Sequence, residues 1–298
     1  MFEKLTPETR LSYSRKVNFA VKVAGAKDFD ALIASDEAYA KLRKYYKSDN
    51  TLKATLTAVL AGIREKSKTH ASLPKWRVRH AEVSKAASSA KSGVLTKSIE
   101  KKYVCWCEIE AAAKKAVKHR TIEESMDAVL LAMVTMIPPK RSDYGDVSVV
   151  TADKGDKNRI IVPKSGATTL VLTEFKTSKS HGEHRETLPA KLGSVVRKSL
   201  AAWPRSKLFV DSSGEAMSPG AFGAYVKAAM TRHVGKPVGV TMLRHIYISD
   251  VVVHMNDGSR TDTAKKMLHS VKEQKEYVIT RSGGAPVCGI KRAQGTKP

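Results

Sequence analysis

Apolar residues recur at helical spacing from the start of the chain. The stretch PETRLSYSRKVNFAVKVAG, from residue 7, carries such a stripe, and TLKATLTAVLAGIREK repeats it with Leu52, Leu56, Leu60 and Ile63 on one face. Thr51 is placed to cap this second helix, after a break near Lys47–Asn50. The next stretch, SKTHASLPKWRVRHAEVSKAASSAKSG, is rich in bases and small residues, with Pro74 and Gly93 as breakers. Beyond a hinge expected at 94–103, CWCEIEAAAKKAVKH and TIEESMDAVLLAMVTMI predict two helices. The second opens with Thr121 and Glu124 at capping-box spacing and must stop at Pro138 and Pro139. The period then changes. DVSVVTA, NRIIVPK and TTLVLTEF are short β-branched runs, and ETLP predicts a return strand, so a small antiparallel sheet is expected. From Ala190 the helical period resumes, with Thr261 and Asp262 as cap signals for a late helix.

This succession predicts an all-α unit over residues 1–100 and an α+β unit over 104–282, mostly helical with a small sheet. A Gly- and Lys-rich tail follows at 283–298. The 298 residues suffice for two domains, and a hydrophobic content of 42% supplies their cores. Charge narrows the function more. Lys plus Arg total 53 against 29 Asp plus Glu, a formal +24 spread along the chain, which points to nucleic acid as the partner. Lys66, Lys68, Lys75, Arg77 and Arg79 fit a surface that tracks phosphates. Cys105, Cys107 and Cys288 are too few for a disulfide framework, and CWC lacks the second pair of a zinc site. Idle thiols in a reducing compartment, cytoplasm or nucleus, are therefore expected. No apolar run approaches the roughly 20 residues that span a bilayer. MFEKLTPETR lacks the apolar core of a signal peptide, so no membrane partner is expected.

Four places raise a question of chemistry. In TMLRHIYISD, residues 241–250, Arg244 and His245 interrupt an apolar helix. A guanidinium is costly there unless something negative meets it. Arg141 follows the Pro-Pro stop, with Asp143 two residues on. Lys176 ends a strand in EFKTSKSHG, with Lys179 as its rival, and His269 and Tyr277 lie in AKKMLHSVKEQKEYVI. Tyr247, inside the apolar helix, and Tyr225 compete with Tyr277. His181 and His184 have metal-like spacing but fall in a Gly-containing turn that should face solvent. Trp76 and Trp203 read as packing residues rather than base-stacking ones.

The order Arg, Lys on a β-turn, LRH in an apolar helix, LHS and then Tyr resembles the tyrosine recombinases, or phage-type integrases. MVTMIPPKRSDY is similar to their first motif, a helix ending in Arg followed closely by an acid. TMLRH is similar to their His-x-x-Arg-His with Thr241 at the first position, and MLHS to their Leu-Gly-His-Ser with Leu268 for the glycine. The Pro-Pro-basic-Arg form looks most like recombinases of large eukaryotic DNA viruses, virophages and related mobile elements. The resemblance covers roughly 103–282, and residues 1–100 resemble a helical core-binding domain.

That resemblance implies a C-shaped clamp on double-stranded DNA, working as a homo-oligomer, dimer to tetramer, on paired sites. Tyr277 would attack a phosphodiester to form a covalent 3′-phosphotyrosyl intermediate, with no metal, ATP or other cofactor. Arg141 and Arg244 would hold the nonbridging oxygens, because the planar guanidinium makes two bonds to phosphate. His269 would donate to the same oxygens, and Lys176 would protonate the departing 5′ oxygen. Asp143 would orient Arg141, and His245 would buttress its helix. Thr241 can hydrogen-bond a phosphate but cannot act as an imidazole base, which leaves the route of the Tyr277 proton open. Two other classes share these residues: a type IB topoisomerase-like enzyme that relaxes DNA, and a DNA-binding relative weakened in catalysis.

Overall fold

Capping side chains set the helix boundaries of the N-terminal unit. In the computed structural model, which describes residues 2–89, 93–155, 157–178 and 182–288, the chain divides into Met1–Ser92 and Gly93–Pro298. The first unit holds α1 (Pro7–Ala24), α2 (Phe29–Ala34), α3 (Asp36–Tyr45), α4 (Asp49–Lys66) and α5 (Leu73–Ser89). Thr6, Asp28, Ser35 and Ser48 each accept an orphan amide at the start of a helix. Ser48, not Thr51, is the cap of α4, and the Thr51 amide is the group it satisfies. Pro74 does not break the chain here. It lies in the first turn of α5, where a missing N–H costs no hydrogen bond. Leu52, Leu56, Leu60 and Ile63 are all buried, and Trp76 is fully covered with its indole N–H donating to Ile33 O at 2.9 Å.

The second unit is built around one helix. It contains α6 (Lys97–Glu100), α7 (Trp106–Lys115) and α8 (Ile122–Met136), then four strands, then α9 (Ala190–Ala202), α10 (Pro219–Val234), α11 (Val240–Asp250), α12 (Asp257–Lys266) and α13 (Val271–Glu276). Ten consecutive residues of α8, Ser125 to Val134, are buried, the mark of a helix covered on every side. Its two polar members are satisfied. Ser125 and Ser199 meet hydroxyl to hydroxyl at 2.7 Å, and Asp127 accepts from Tyr225, Arg232 and His233. The helix ends at Met136, and Pro138 and Pro139 carry the chain away in extended form.

The strands are β1 (Ser148–Val150), β2 (Arg159–Ile161), β3 (Thr169–Leu172) and β4 (His184–Thr187), paired in that order. The sheet is mixed rather than antiparallel throughout, because β1 and β2 run parallel while the other two pairs are antiparallel. Arg159, at the start of β2, pairs with Ser148, at the start of β1, and holds Asp153 at 2.7 Å. Alternation of apolar residues carries no information about strand direction, so the parallel pairing was invisible in the pattern.

Two further expectations are corrected. The stretch 94–103, expected as a hinge, belongs with the second unit. Gly93, at φ 58, passes so close to Val278 O that a side chain would stand 2.5 Å from it, and Thr280 exchanges backbone hydrogen bonds with Gly93 and Leu95. Asp250 then takes the Tyr103 hydroxyl at 2.6 Å and the Trp106 amide at 2.9 Å. Cys105 and Cys288 are not idle thiols: they form a disulfide, and Cys107 is the exposed free thiol. Their separation of 183 positions hid the pairing. No helix among the described residues is long and apolar enough to cross a membrane.

Replacing Asp250 by Ala leaves the Tyr103 hydroxyl and the Trp106 amide buried without their acceptor. The variant is expected to lose about 3 kcal/mol in chemical denaturation followed by tryptophan fluorescence, and a loss under about 0.5 kcal/mol would contradict this anchoring role.

Candidate active site

Arg244 is the most deeply buried arginine among the described residues, at 1% exposure. It projects from α11 among buried Leu243, Ile246, Tyr247 and Ile248. Its charge is met by protein acceptors. Nη1 donates to Pro139 O and Met267 O, both at 3.0 Å, and Nη2 donates to His269 Nδ1 at 2.9 Å. The Nε–H is buried with no acceptor among the described residues. Burial pushes its pKa down, Tyr277 works against that shift, and the nearby Arg141 charge adds to it. The guanidinium is covered, with the Tyr277 ring centroid 5.2 Å from its carbon.

The turn between α12 and α13 gathers the site. Helix α12 starts at Asp257, capped by Asn256 rather than at Thr261 and Asp262. At its far end the Leu268 amide bonds Lys265 O and the His269 amide bonds Ala264 O, a left-handed helix stop. Leu268 occupies the left-handed position, φ 57, where glycine is at ease and a leucine costs about 1–2 kcal/mol. This conformation directs the Leu268 carbonyl to Arg141 Nη1 at 3.4 Å and to the Thr177 hydroxyl at 3.2 Å. It also delivers His269, 2% exposed, to Arg244. Because Nδ1 accepts from Arg244, neutral His269 carries its proton on Nε2. Ser270 and Glu273 close a reciprocal capping box on α13, and Glu273 reaches back to within 3.7 Å of Arg141.

Tyr277 terminates α13, half-buried. Its ring lies 4.6 Å from that of His245 and 5.7 Å from that of His269. His245 Nδ1 meets Tyr277 O at 2.6 Å, so this nitrogen carries the proton and donates. Burial lowers the His245 pKa, the Tyr277 carbonyl opposes the shift, and Arg244 reinforces it. One turn on, Ser249 accepts the Ile279 amide at 2.8 Å. The backbone on the far side of Tyr277 is thus tied to α11.

Arg141, Arg244, His245, His269 and Tyr277 are brought together. Asp143, in the short turn after Arg141, is close enough to feel both arginines. Burial raises its pKa while Arg141 and Arg244 oppose the shift. Lys176 is exposed on the turn after β3, joined to the cluster through its neighbour Thr177. Lys179 and His181 lie outside the described residues, and His184 contacts Glu186. Thr241 is exposed in the first turn of α11, one helical turn from Arg244. In the first unit Lys66 pairs with Asp30, while Lys75 and Arg79 share Asp36. Lys68 and Arg77 are exposed. Trp203 donates its indole N–H to His119 O.

Two sets of residues escaped the sequence reading. Ser270 and Glu273 carry the S-x-x-E spacing of a capping box, which could have been recognised. Lys140, fully buried against Glu186, carries no signal in PPKR that separates it from a surface base.

No protein-family model matches the chain, and no curated protein matches it by sequence. Solved structures do. The XerA recombinase is 12% identical over 95% of this chain and 90% of that one, with a TM-score of 0.44. The XerH site-specific recombinase bound to its difH substrate, a pre-cleavage complex, is 12% identical over 80% of this chain and 65% of that one, with a TM-score of 0.46. The lambda integrase, residues 75–356 bound to DNA, is 14% identical over 88% and 85%, with a TM-score of 0.47.

A depressed His245 pKa means that the unfolded chain binds a proton which the folded chain refuses, in the window just below the ordinary value. Stability must therefore rise with pH through that window. His245→Asn retains a donor that does not titrate. Urea midpoints between about pH 5 and about pH 8 should show the wild type gaining stability relative to this variant as pH rises to about 6.5, then running level with it. Parallel curves throughout would mean that His245 is not held neutral.

Proposed function

We propose that this chain is a tyrosine recombinase that cuts and rejoins DNA strands through Tyr277. The observation that carries the reading is the grouping of a half-buried tyrosine against two arginines and two histidines, on a chain of formal charge +24. In the proposed step the Tyr277 oxygen forms a bond to a backbone phosphorus and the bond to the 5′ oxygen breaks, leaving a 3′-phosphotyrosyl link. Negative charge then builds on the nonbridging oxygens. Arg141, at 21% side-chain exposure, is the arginine open to a phosphate. Arg244 supplies a buried Nε–H with no acceptor among the described residues, and the Tyr277 ring must turn off the guanidinium for a phosphate to reach it. His269 Nε2–H is a third donor. Such donors, fixed before the reaction, contribute because they need no reorganisation as charge develops.

The departing 5′ oxygen takes its proton from Lys176 or Lys179, the lysines of the β3–β4 turn. Thr241 cannot act as an imidazole base, so the Tyr277 proton leaves by another route, to water or to the DNA itself. The exposed bases Lys68 and Arg77 of the first unit fit phosphate contacts, and oligomers of two to four copies on paired sites fit a reaction that exchanges strands.

The test is a nicked duplex that traps the covalent product. The wild type is expected to become linked to the 3′ end at the break, and Tyr277→Phe to form no adduct. Arg141→Ala and Arg244→Ala should each slow its formation on the order of 1000-fold. An adduct formed equally by Tyr277→Phe would assign the nucleophile elsewhere, and relaxation of supercoiled plasmid without any joined product would favour the topoisomerase class. Affinity for duplex DNA should also fall by about 1000-fold between 50 mM and 200 mM salt if some six phosphates are neutralised; a flat response in a filter-binding titration would remove the polyanion argument.

A further inference from the structure

The residue immediately before Arg141 takes no part in the chemistry above. Lys140 has a side chain with no exposed surface, and its ammonium pairs with Glu186 Oε2 at 2.7 Å, itself only 10% exposed. His184 Nε2 approaches the same carboxylate oxygen at 3.3 Å. The backbone here is extended, with Arg141 at φ −79 and ψ −154, so neighbouring side chains leave on opposite sides. Arg141 turns to Leu268 O, Lys140 turns to β4, and the carbonyl of Pro139 takes Arg244 Nη1. Three consecutive residues therefore have three different anchors.

We propose that Lys140 and Glu186 are positioning residues for the strand-cleavage site. Their ion pair ties the arginine-bearing segment to β4 and so holds Arg141 and Arg244 in register with the β3–β4 turn that presents Lys176. The proposal rests on the Tyr277 reading for its catalytic consequence, though not for the geometry. A leucine at position 140 would fill the same volume, and a buried ion pair adds little net stability once its desolvation is counted. What it supplies is direction, since a short charged contact tolerates far less displacement than an apolar one. Strand β4 is the natural partner because it is the return limb of the hairpin whose turn carries Lys176 and Thr177, and Thr177 already bonds the carbonyl that holds Arg141. The charges are arranged consistently. Burial, Lys266 and Arg244 all press the Lys140 pKa down, and Glu186 opposes them. Glu186, which burial alone would push up, is held down to about 2 by His184 and Lys140.

The experiment measures single-turnover adduct formation on the nicked duplex over a range of DNA concentrations, with hydrogen exchange on the same full-length proteins. Lys140→Met leaves Glu186 buried and unpaired and is open to misfolding. The double variant Lys140→Met with Glu186→Leu removes both charges and keeps the volume. It is expected to retain its helical circular dichroism and its half-saturating DNA concentration, while the first-order rate of adduct formation falls on the order of 100-fold. Lys140→Arg, which can still pair with Glu186, should recover most of that rate. Amide exchange at Lys140, Arg141 and residues 173–177 should quicken about tenfold in the double variant, with α8 unchanged. A double variant within about twofold of the wild-type rate, or with unaltered exchange in those two segments, overturns the proposal and leaves the pair a packing contact. If instead the wild type forms no adduct, the Tyr277 reading fails, and the exchange arm alone still decides whether the pair sets the register.

Discussion

A guanidinium closed off from water must find its acceptors within the protein, and the second unit is arranged around where Arg244 finds them. Two are carbonyls, Pro139 O and Met267 O, at places where the chain has just left a helix. The third is a ring nitrogen of His269. Helix carbonyls in mid-helix are already taken, so a buried cation is served best where helices end. The consequence is mutual. Helix α11, the extended segment after α8 and the turn before α13 cannot move independently without stranding a charge in the core.

The turn itself shows how few residues can be made to serve several neighbours. Met267 offers its carbonyl to Arg244, Leu268 offers its own to Arg141 and Thr177, His269 supplies a ring, and Ser270 starts the helix that ends at Tyr277. The cost is concentrated in one backbone conformation, the positive φ of Leu268. Its side chain is 4% exposed and packs in the core, burial worth about 2 kcal/mol against a strain of similar size. A glycine would relax the backbone and forfeit that burial. The two choices are close in energy, which accounts for a leucine standing where the resembling motif has glycine.

Much of the architecture could be read from periodicity. The stripe of Leu52, Leu56, Leu60 and Ile63 marks a helix because residues three and four apart fall on the same side of one, and all four are buried. Helix α8 has to end before Pro138 for reasons of covalent geometry alone. Of the candidate site, an ordered set of residue types was legible, and five of them, Arg141, Arg244, His245, His269 and Tyr277, lie in one cluster. What could not be read were facts of tertiary pairing. The direction of β1, the bond between Cys105 and Cys288, the folding of 94–103 onto the second unit and the burial of Lys140 all depend on partners distant in sequence. Arg244 belongs with them, since its residue type announces a charge but not which side of the surface it occupies.

The bond between Cys105 and Cys288 has a topological effect. It closes the polypeptide into a covalent ring with a sequence separation of 183, and every residue of the cluster, from Arg141 to Tyr277, lies inside that ring. When the second unit unfolds with the bond intact, it becomes a loop with fewer conformations than a line, a difference worth about 5 kcal/mol in the chain-entropy account. A break at one peptide bond inside the ring would open it without parting its two ends, so both arginines, both histidines and the tyrosine would stay on one covalent molecule.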